Sequence, residues 1–468
     1  MNRLAIVLAA GQGKRMKSKL YKVLHPVCGK PMAQHVLDAV RKASCGRIVV
    51  VVGHGAETVR ETLEGSAEYA LQAEQLGTGH AVLQAKPLIG GEEGTTLVIC
   101  GDTPLISTAT IEAMMDRHER EGAAATVLTA IVPDAAGYGR IVRGADGSVQ
   151  RIVEHKDCTP EEARIREINT GTYCFDNRQL FEALAEVKND NAQGEYYLPD
   201  VIGILQRKGK RISASLLEDP DEAIGVNDRA ALGEAERLMR QRINRTHQLN
   251  GVTVVDPAGT YIDADVEIGP DTVIYPGTVL RGRTVIGPDC AIGPSADLKD
   301  TKVGPGSTVR QTVADGAEIG EGNQVGPFAY LRPGTKLGRQ VKVGDFVEIK
   351  NAAVGDGSKV PHLSYVGDAV VGSGVNIGCG AITANYDGYN KSVTEIGDNA
   401  FIGSNVNLIA PVKIGEGAYV VAGSTITHNV DDHDLAIART RQENKPGYAH
   451  KIRARAKSIH DKRNGEQH

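Results

Sequence analysis

The stretch IDADVEIGPDTVIYPGTVLRGRTVI, residues 262–286, places an aliphatic side chain at every sixth position. The period continues with short slips to residue 426, and glycine or another small or polar residue usually follows the aliphatic one. An amphipathic helix repeats at about 3.6 residues and a half-buried strand at about 2, so neither explains a period of six. Hexapeptide repeats are typical of a parallel β-helix, in which aliphatic side chains point inward and glycine forms the corners. We therefore predict a parallel β-helix for the second half of the chain.

The repeat identifies the candidate inward positions of this β-helix. They are Ile262, Ile268, Ile274, Leu280, Ile286, Ile292, Leu298, Val303, Val309, Val313, Ile319, Val325, Leu331, Leu337, Val343, Ile349, Val354, Val360, Val366, Val371, Ile377, Ile396, Ile402, Leu408, Ile414, Val420 and Ile426. The break between Ile377 and Ile396 is too long for a corner. We expect a loop that leaves the solenoid there, and such loops are usually functional.

Residues 3–230 follow a different pattern, in which short apolar runs alternate with helix-like segments. The apolar runs are Leu4–Ala10, Ile48–Val52, Leu97–Cys100 and Ala125–Val132, and the helix-like segments include Pro31–Lys42 and Ala56–Leu63. This alternation predicts an α/β, Rossmann-like domain with a mostly parallel sheet and ligands at the carboxyl ends of its strands. Between the two halves, Asp228–Leu249 is rich in helix formers and predicts a connecting helix.

Composition excludes several classes of protein. The 468 residues carry a net charge of −5, which gives no global basic field for nucleic acid. The apolar runs are far shorter than the ~20 residues of a membrane span, and no cleavable apolar segment opens the chain, so we expect neither membrane insertion nor secretion. Seven scattered cysteines without a C-x-x-C pair favour the reducing cytoplasm. The basic segment His450–Arg463 is interpreted as a solvated, frayed tail.

Three groups of polar residues stand out in the first half, and two of them directly follow a predicted strand. In AAGQGKRM, residues 9–16, two glycines allow close backbone approach, and Lys14 and Arg15 add positive charge for an anion. QAEQLGTG, residues 72–79, supplies amide side chains suited to a base edge. Asp102 ends a strand, where a carboxylate can hold a metal for phosphate chemistry. Each group also has a structural interpretation, as a glycine-rich turn or as a turn-forming aspartate.

Taken in order, these fragments resemble the sugar-1-phosphate nucleotidyltransferases. The matching fragments are LAAGQGKRM (8–16), KVL (22–24), QLGTG (75–79), GDTPL (101–105), GYGRI (137–141), IVEHK (152–156), EINTG (167–171), NAQGEYY (191–197) and GVN (225–227). With the hexapeptide array, the whole chain up to about residue 446 resembles the bacterial bifunctional N-acetylglucosamine-1-phosphate uridyltransferases/glucosamine-1-phosphate acetyltransferases.

The resemblance implies a left-handed β-helix and four segments: a nucleotidyltransferase domain (1–228), a linker helix (229–249), a β-helix acetyltransferase domain (250–446) and a basic tail (447–468). It implies acetyl-CoA-dependent N-acetylation of glucosamine-1-phosphate, followed by uridylyl transfer from UTP to N-acetylglucosamine-1-phosphate with release of pyrophosphate. It also implies a Mg²⁺ cofactor and a homotrimer whose acetyl sites are shared between subunits.

For the nucleotide site, the resemblance assigns catalytic roles to Arg15 and Lys22, as cations for the triphosphate, and metal binding to Asp102 and Asn227. The residues implied in binding UTP or the sugar nucleotide are Leu8, Ala9, Ala10, Gly11, Lys22, Gln72, Gly77, Thr78, Gly101, Gly139, Glu154, Asn169 and Asn227. Tyr21 occupies a position where proline is common in the family, and Cys100 one where tyrosine is common. Neither change removes a phosphate or metal ligand, so we expect both to affect how the substrate fits rather than whether the reaction occurs.

For the acetyl site, the resemblance makes His362 the general base that takes a proton from the sugar amine, oriented by Asn385 or by a backbone group. The residues implied in binding the sugar phosphate are Arg332, Lys350, Tyr365 and Asn376. The residues implied in binding acetyl-CoA are Cys379, Asn385, Tyr386, Ser404, Ala422 and Arg439. Cys379 stands where alanine is frequent in the family.

Two other functions are compatible with the same domains. One is a monofunctional nucleotidyltransferase whose β-helix regulates or oligomerises, as in ADP-glucose-type pyrophosphorylases. The other is a protein-binding scaffold that resembles translation exchange factors. The pairing of His362 with the Asn385 loop argues against the first, and Arg15, Lys22 and Asp102 argue against the second.

Overall fold

The computed structural model describes residues 2–465, with side chains described through Arg463. Its contacts divide the chain into two compact units, one that ends at Asp300 and one that begins at Thr301. This division falls inside the hexapeptide repeat, whereas the predicted segment boundaries at 228, 249 and 446 follow changes in sequence pattern and remain a prediction. Residue 1 and the last three residues of the predicted tail lie outside the described residues.

The α/β part alternates strands with helices, as predicted. Its strands are β1 (Arg3–Ala9), β2 (Pro26–Val27), β3 (Lys30–Pro31), β4 (Arg47–Val52), β5 (Glu68–Leu71), β6 (Thr95–Cys100), β7 (Ala125–Ile131), β8 (Gly139–Arg143), β9 (Val149–Val153), β10 (Glu167–Asp176) and β11 (Ile212–Leu216). Its α-helices are α1 (Met32–Lys42), α2 (Ala56–Thr62), α3 (Thr78–Leu83), α4 (Lys86–Ile89), α5 (Thr108–Glu121), α6 (Asn177–Leu184), α7 (Asp200–Arg207) and α8 (Arg229–Leu249).

A nine-stranded sheet forms the centre of this part, in the order β11-β7-β10-β6-β1-β4-β5, with β8 and β9 extending from β10. The strand β10 runs antiparallel to β6 and β7, while β1 is parallel to both β4 and β6. Alternate residues of β1 face opposite sides, since Ala5 and Val7 join one apolar cluster and Leu4 and Ile6 join the other. Helices therefore cover both faces, and the carboxyl ends of β1, β4 and β6 open at one edge.

The connecting helix α8 is confirmed. The Asp228 carboxylate caps its N-terminus by accepting a hydrogen bond from the Ala231 N–H at 2.9 Å. Ala235 and Leu238 of α8 pack with Val27 of β2 in a small apolar cluster. The helix is therefore anchored to the α/β part rather than a detached spacer.

The hexapeptide stretch up to Asp300 forms short strands that pair in parallel on three faces. The strands of the first face are Thr253–Val254, Val273–Ile274 and Ala291–Ile292; of the second, Tyr261–Ile262, Val279–Arg281 and Asp297–Lys299; of the third, Glu267–Ile268 and Val285–Ile286. Residues 18 apart are paired, such as Ile274 with Ile292, because three six-residue faces complete one coil. Ile274 and Ile292 are fully buried, so the period of six selects the interior of the coil.

The second unit repeats the same three faces. The strands of the first face are Thr308–Val309, Gln324–Val325, Lys342–Asp345, Lys359–His362, Asn376–Ile377, Phe401–Ile402, Tyr419–Val420 and Leu435–Ala436. Those of the second face are Val313–Asp315, Tyr330–Leu331, Glu348–Lys350, Tyr365–Gly367, Ile382–Ala384, Asn407–Ile409 and Thr425–Ile426. Those of the third face are Lys302–Val303, Glu318–Ile319, Lys336–Leu337, Ala353–Val354, Ala369–Val371, Thr394–Ile396 and Val412–Ile414.

Three details of the second unit differ from the sequence prediction. Val313 is 46% exposed, and its neighbour Ala314 points inward instead, because one of the slips in the repeat falls there. The predicted break after Ile377 is shorter than expected, since Ile382–Ala384 adds a strand whose buried inward residue is Thr383. The excursion from the solenoid therefore spans only residues 385–393.

The third difference is the basic segment near the end of the chain, which forms a helix rather than a frayed tail. This helix, α9, spans Tyr448–Gly465, and its described side chains are all exposed. Alanine, lysine and arginine, which are strong helix formers, dominate its sequence. Nowhere between residues 2 and 465 is a helix both long and apolar enough to cross a membrane.

We predict that a fragment ending at Leu249 is less stable than one ending at Asp300. The Asn244 amide is buried and donates to the carbonyls of Pro257 and Thr260 at 2.8 and 3.2 Å, and both acceptors are missing from the shorter fragment. Each of the two lost hydrogen bonds contributes about 0.5–1.5 kcal/mol to stability, and their loss lowers the melting temperature of a domain of this size by roughly 2–10 °C. Thermal denaturation of both fragments measures the difference, and equal melting temperatures would contradict the prediction.

Candidate functional sites

A cavity of ≈ 240 Å³ lies at the carboxyl ends of β1 and β6. Of the predicted nucleotide-binding residues, the cavity is lined by Leu8, Ala10, Gly11, Lys22, Gln72, Gly77, Thr78 and Asp102. Cys100 and Glu195 also line it, and the sequence did not single out Glu195. The structure thus brings residues from five separate sequence fragments to one site.

The Lys22 ammonium occupies the polar end of this cavity. It forms a salt bridge with the Asp102 carboxylate and donates a hydrogen bond to the Asn227 side-chain oxygen at 2.7 Å. The Lys22 and Asp102 side chains are only 13% and 19% exposed. The backbone reinforces the arrangement, because the Val226 N–H donates to the Asp102 carbonyl at 2.9 Å. The two predicted metal ligands, 125 residues apart in sequence, therefore share one cation.

The glycine-rich turn places its cations beside this cavity rather than inside it. Lys14–Met16 forms a short 3₁₀ turn after Gly13, whose φ of 65° is left-handed. A side chain at Gly13 would collide with Lys22, since an added Cβ would lie 2.5 Å from the Lys22 Cβ. An open depression of ≈ 550 Å³ follows, lined by Gln12, Gly13, Lys14, Lys17, Ser18, Lys19 and His54. Arg15 itself is exposed.

The predicted base-binding stretch, residues 72–79, packs against residues 195–198. Gly77 has a φ of 110°, and an added Cβ would lie 2.7 Å from the Tyr196 carbonyl oxygen, so only glycine fits there. The Thr78 hydroxyl accepts a hydrogen bond from the Leu198 N–H at 3.1 Å. The Gln72 amide donates to the Gly77 carbonyl at 3.2 Å and is 3% exposed. Gln72 thereby fixes the turn that borders the cavity.

Gly139, Glu154 and Asn169, the predicted sugar contacts, lie together. An added Cβ at Gly139 would sit 3.3 Å from the Glu154 carboxylate and 3.5 Å from the Asn169 Cβ. Burial raises the pKa of the Glu154 carboxyl, and the charges of Asp157 and other nearby acidic groups raise it further. A carboxyl held in this way is a suitable hydrogen-bonding partner for sugar hydroxyls.

His362 lies at the corner that follows the first face of the second unit. Its Nδ1 is 2.8 Å from the Asp345 carboxylate, the paired residue on the preceding coil. This hydrogen bond lowers the pKa of Asp345. The His362 side chain is 56% exposed, so the far side of its ring is accessible. The partner of His362 is therefore Asp345, which the sequence prediction missed, rather than Asn385.

Asn385 has a different set of partners. Its amide donates to the Asp368 carboxylate and lies 3.4 Å from the Tyr365 hydroxyl. Asp368 also accepts a hydrogen bond from the Asn351 amide at 2.6 Å. The start of the excursion is thus fixed to the second face. In this sequence, counting 17 residues back from His362 and from Asn385 would have identified both Asp345 and Asp368.

Cys379, Ser404 and Ala422 occupy one corner on three successive coils. The Cys379 carbonyl accepts from the Asn405 N–H and the Ser404 carbonyl from the Gly423 N–H, each at 2.8 Å. An added Cβ at Gly378 or Gly403 would lie 2.6 or 2.5 Å from the backbone of the next coil, so these glycines allow the close stacking. Because the Gly380 N–H donates to the His362 carbonyl at 3.4 Å, His362 stands on the coil below this column.

The remaining acetyl-site candidates lie on different surfaces. Arg332, Lys350 and Tyr365 are on the outer surface of the second face, where Arg332 donates to the Glu348 carboxylate at 2.7 Å. Asn376 is on the first face, paired with Lys359 and Phe401. Tyr386 is on the excursion and Arg439 follows the last coil, both exposed. The sites of one chain are thus divided between two faces of the prism.

The comparisons with known proteins define the class. The sequence matches the nucleotidyl transferase family over residues 4–220 and the bacterial transferase hexapeptide family over residues 316–351 and 394–428. The chain is therefore a transferase that joins a nucleotidyltransferase domain to a β-helix of hexapeptide repeats. The solved structure of UDP-glucose pyrophosphorylase complexed with UDP-glucose is 21% identical, with a TM-score of 0.44, and the match covers 52% of this chain and all of that one.

Full-length relatives identify the particular family. The bifunctional protein GlmU of Brevibacillus brevis is 59% identical over 453 residues, which cover 97% of this chain and 98% of the relative. The bifunctional protein GlmU of Geobacillus sp. (strain WCH70) is 58% identical over 452 residues, with the same coverage. The chain belongs to the GlmU family of bifunctional proteins. The predicted fold class, an α/β nucleotidyltransferase domain followed by a left-handed β-helix, and the predicted pairing of a uridylyltransferase with an acetyltransferase are confirmed.

Proposed function

We propose that the β-helix acetylates glucosamine-1-phosphate with acetyl-CoA, and that the cavity at the ends of β1 and β6 then transfers uridylyl from UTP to the N-acetylglucosamine-1-phosphate. The observation that carries the second step is the Lys22 ammonium held between Asp102 and Asn227 at the polar end of that cavity. The cavity therefore offers a cation that can bind phosphate and two oxygens that can bind a hard metal ion. Both lie next to the glycine-rich turn, whose backbone can approach a triphosphate.

In the uridylyl transfer, an oxygen of the sugar phosphate attacks the α-phosphorus of UTP, and the bond to the leaving pyrophosphate breaks. Such a reaction depends mainly on positioning and on stabilisation of negative charge. Lys22 supplies a cation at the polar end of the cavity, and Lys14 and Arg15 supply two more on the adjoining turn. Gly139, Glu154 and Asn169 hold the sugar so that its phosphate faces this end.

The residues present fit a magnesium ion. Asp102 and Asn227 offer one carboxylate and one amide oxygen, both already in contact with the same cationic group. Mg²⁺ prefers oxygen ligands and commonly uses one or two protein side chains together with substrate phosphates and water. When bound there, it would neutralise charge on the phosphates as the α-phosphorus reacts. Lys22 would then turn from the two oxygens toward the triphosphate.

In the acetyl transfer, the amine of glucosamine-1-phosphate must lose a proton before its nitrogen attacks the thioester carbonyl and the carbon–sulfur bond breaks. The Asp345 carboxylate accepts the Nδ1–H of His362, and this hydrogen bond lowers the pKa of Asp345. This leaves Nε2 of His362 free to take the proton of the amine. His362 lies on the coil below the corner where Cys379, Ser404 and Ala422 form the proposed acetyl-CoA groove.

We propose that the acetyl sites are completed between copies in a homotrimer. The residues implied in binding the sugar phosphate lie on two outer faces of the β-helix, with Arg332, Lys350 and Tyr365 on the second face and Asn376 on the first. These faces point away from each other. A second copy of the chain would bring residues of both faces to one site. The exposed corner side chains Phe328, Phe346 and Leu363 support this assembly, since the two phenylalanine rings stack at 5.5 Å and all three are more than half exposed. Exposed apolar columns of this kind are typical of interfaces.

The cytoplasm is the proposed location, supported by the seven cysteines, all of which are free thiols. A coupled assay tests the two reactions together. With glucosamine-1-phosphate, UTP and Mg²⁺, pyrophosphate release should require acetyl-CoA, whereas with N-acetylglucosamine-1-phosphate it should not. Release of pyrophosphate from glucosamine-1-phosphate at the same rate without acetyl-CoA would contradict the proposed order.

We predict that Asp345→Asn lowers the acetyl-transfer kcat by about 10–10³-fold, because the amide neither fixes the Nδ1–H tautomer of His362 as well nor stabilises the charged ring. The kcat for acetyl transfer, measured with uridylyl transfer of the same sample as the control, checks this prediction. A wild-type acetyl-transfer kcat would contradict the role of Asp345.

A further inference from the structure

Two short turns carry the cations of the nucleotide site. The first is closed by the Met16 N–H, which donates to the Gly13 carbonyl at 2.9 Å, and it carries Arg15. The second is closed by the His25 N–H, which donates to the Lys22 carbonyl at 3.2 Å. Neither turn belongs to a long helix or a central strand, so each needs an external support to keep its cation in place.

Arg229 contacts both turns at the residue that closes each of them. Its Nε donates to the Met16 carbonyl at 3.2 Å, and its Nη1 lies 3.2 Å from Nδ1 of His25. Met16 and His25 are 1% and 3% exposed, so both acceptors are buried although Arg229 itself is exposed. Burial, aided by the charge of Arg229, lowers the pKa of His25, and the neutral ring can accept the hydrogen bond at Nδ1.

The segment that carries Arg229 is itself fixed at the active-site end. Arg229 is the first residue of α8, directly after the capping Asp228. Two residues earlier, Asn227 contacts the Lys22 ammonium, and Val226 is hydrogen-bonded to the Asp102 backbone. One short stretch of chain therefore contacts the strand end of Asp102, the turn of Arg15 and the turn of Lys22.

We propose that Arg229 is a positioning residue for uridylyl transfer, which holds the Arg15 and Lys22 turns at a fixed distance from Asp102 and Asn227. A guanidinium suits this role because it donates from several nitrogens in one plane, while a lysine ammonium on a flexible stem cannot replace two fixed donors. The inference rests on the proposed roles of Arg15 and Lys22 in stabilising the negative charge that develops during uridylyl transfer.

The test compares Arg229→Ala and Arg229→Lys with Arg237→Ala. Arg237 lies on the same helix and pairs only with Glu234 at its surface, so it serves as the matched control. Displacement of catalytic groups by about 1 Å can cost 10²-fold. We expect the alanine variant to lose about 10–10²-fold in uridylyl-transfer kcat with a small change in the KM for UTP. The lysine variant should fall between it and wild type, and guanidinium chloride at millimolar concentration should restore part of the alanine variant's rate.

Acetyl transfer and the melting temperature, measured on the same samples, separate positioning from folding. Acetyl transfer should match wild type in every variant, and the melting temperature of Arg229→Ala should fall only by the few degrees expected when two buried acceptors lose their donor. A wild-type kcat for Arg229→Ala overturns the proposal, as does a loss that appears mainly in the KM for UTP, which would make Arg229 a ligand. A loss of uridylyl transfer without guanidinium rescue, accompanied by an equal loss of acetyl transfer, also overturns it. Lys22→Ala, run in parallel, tests the foundation: a wild-type rate there would refute the proposed function of the turn instead.

Discussion

Asp102→Ala should abolish pyrophosphate release while acetyl transfer from the same sample stays close to wild type. The Asp102 carboxylate forms a salt bridge with the Lys22 ammonium, and it is also half of the proposed Mg²⁺ site. Among residues 2–465, no group of three or more histidine, cysteine, aspartate or glutamate side chains is placed to hold a metal ion. The proposed site therefore depends on Asp102 and Asn227 together with substrate oxygens, and we expect a loss of at least about 10³-fold in kcat/KM, comparable to removal of a major electrostatic contribution.

Asp102→Asn sharpens this prediction, because the amide keeps the size of the side chain and an oxygen for Lys22 but removes the negative charge. If charge at this position is what matters, Asn should be almost as inactive as Ala. Asp116→Ala is the control: Asp116 is an exposed carboxylate in α5 whose surface pair with Arg3 contributes little. Equal losses of both activities in Asp102→Ala would indicate misfolding, and a wild-type rate in Asp102→Asn would remove the carboxylate from the reaction.

The β-helix was predictable because each six-residue segment must bury one aliphatic side chain in the interior, and this requirement produces the repeat in the sequence. Leu280 and Leu298 are fully buried and paired across one coil, so the period in the sequence is the period of the interior. The prediction failed where the interior accepts other residues: Thr383 replaces an aliphatic side chain, and Ala314 takes the place expected for Val313. A pattern defined by large aliphatic residues does not register small or hydroxyl-bearing ones that fill the same space.

The nucleotide cavity was predictable for a different reason. The carboxyl ends of parallel strands meet at one edge, so Gly11 after β1 and Asp102 after β6 had to be close once the alternation of strands and helices was known. The positions of Asn227 and Glu195 could not be derived in this way, because they come from segments that reach the cavity after long connections. The family resemblance supplied Asn227, and Glu195 was recognised only in the structure.

The hydrogen-bonding partner of His362 could not be predicted from residues that are close to it in sequence. The family resemblance implied that Asn385 or a backbone group orients His362. In a coil, however, the nearest side chain is the one a full turn away, and that position belongs to Asp345. Stacking distance between coils is about 4.8 Å, which permits a direct hydrogen bond between the two side chains. The register of the repeat therefore predicts contacts that sequence proximity does not.

His362→Ala should lower the acetyl-transfer kcat by about 10²–10⁴-fold, the usual cost of losing a general base. The sugar amine is largely an ammonium near neutral pH and has no lone pair for the thioester until a proton is removed. His362 can remove it because Asp345 occupies Nδ1 and the exposed ring presents Nε2. The KM for acetyl-CoA should change little, since the proposed groove is formed by Cys379 and the corner residues of the coils above.

The pH dependence of the same variant gives an independent test. The residual rate of His362→Ala should rise steadily with pH, because without a general base only the fraction of sugar amine that is already deprotonated can attack the thioester. His428→Ala is the matched control, an exposed histidine of the same unit whose ring nitrogen lies beside the Thr427 hydroxyl. Uridylyl transfer should be unchanged in both variants. If His362→Ala released CoA at the wild-type rate with glucosamine-1-phosphate, the proton would have to leave through another residue or through water, and the Asp345–His362 pair would serve only to stabilise the coil.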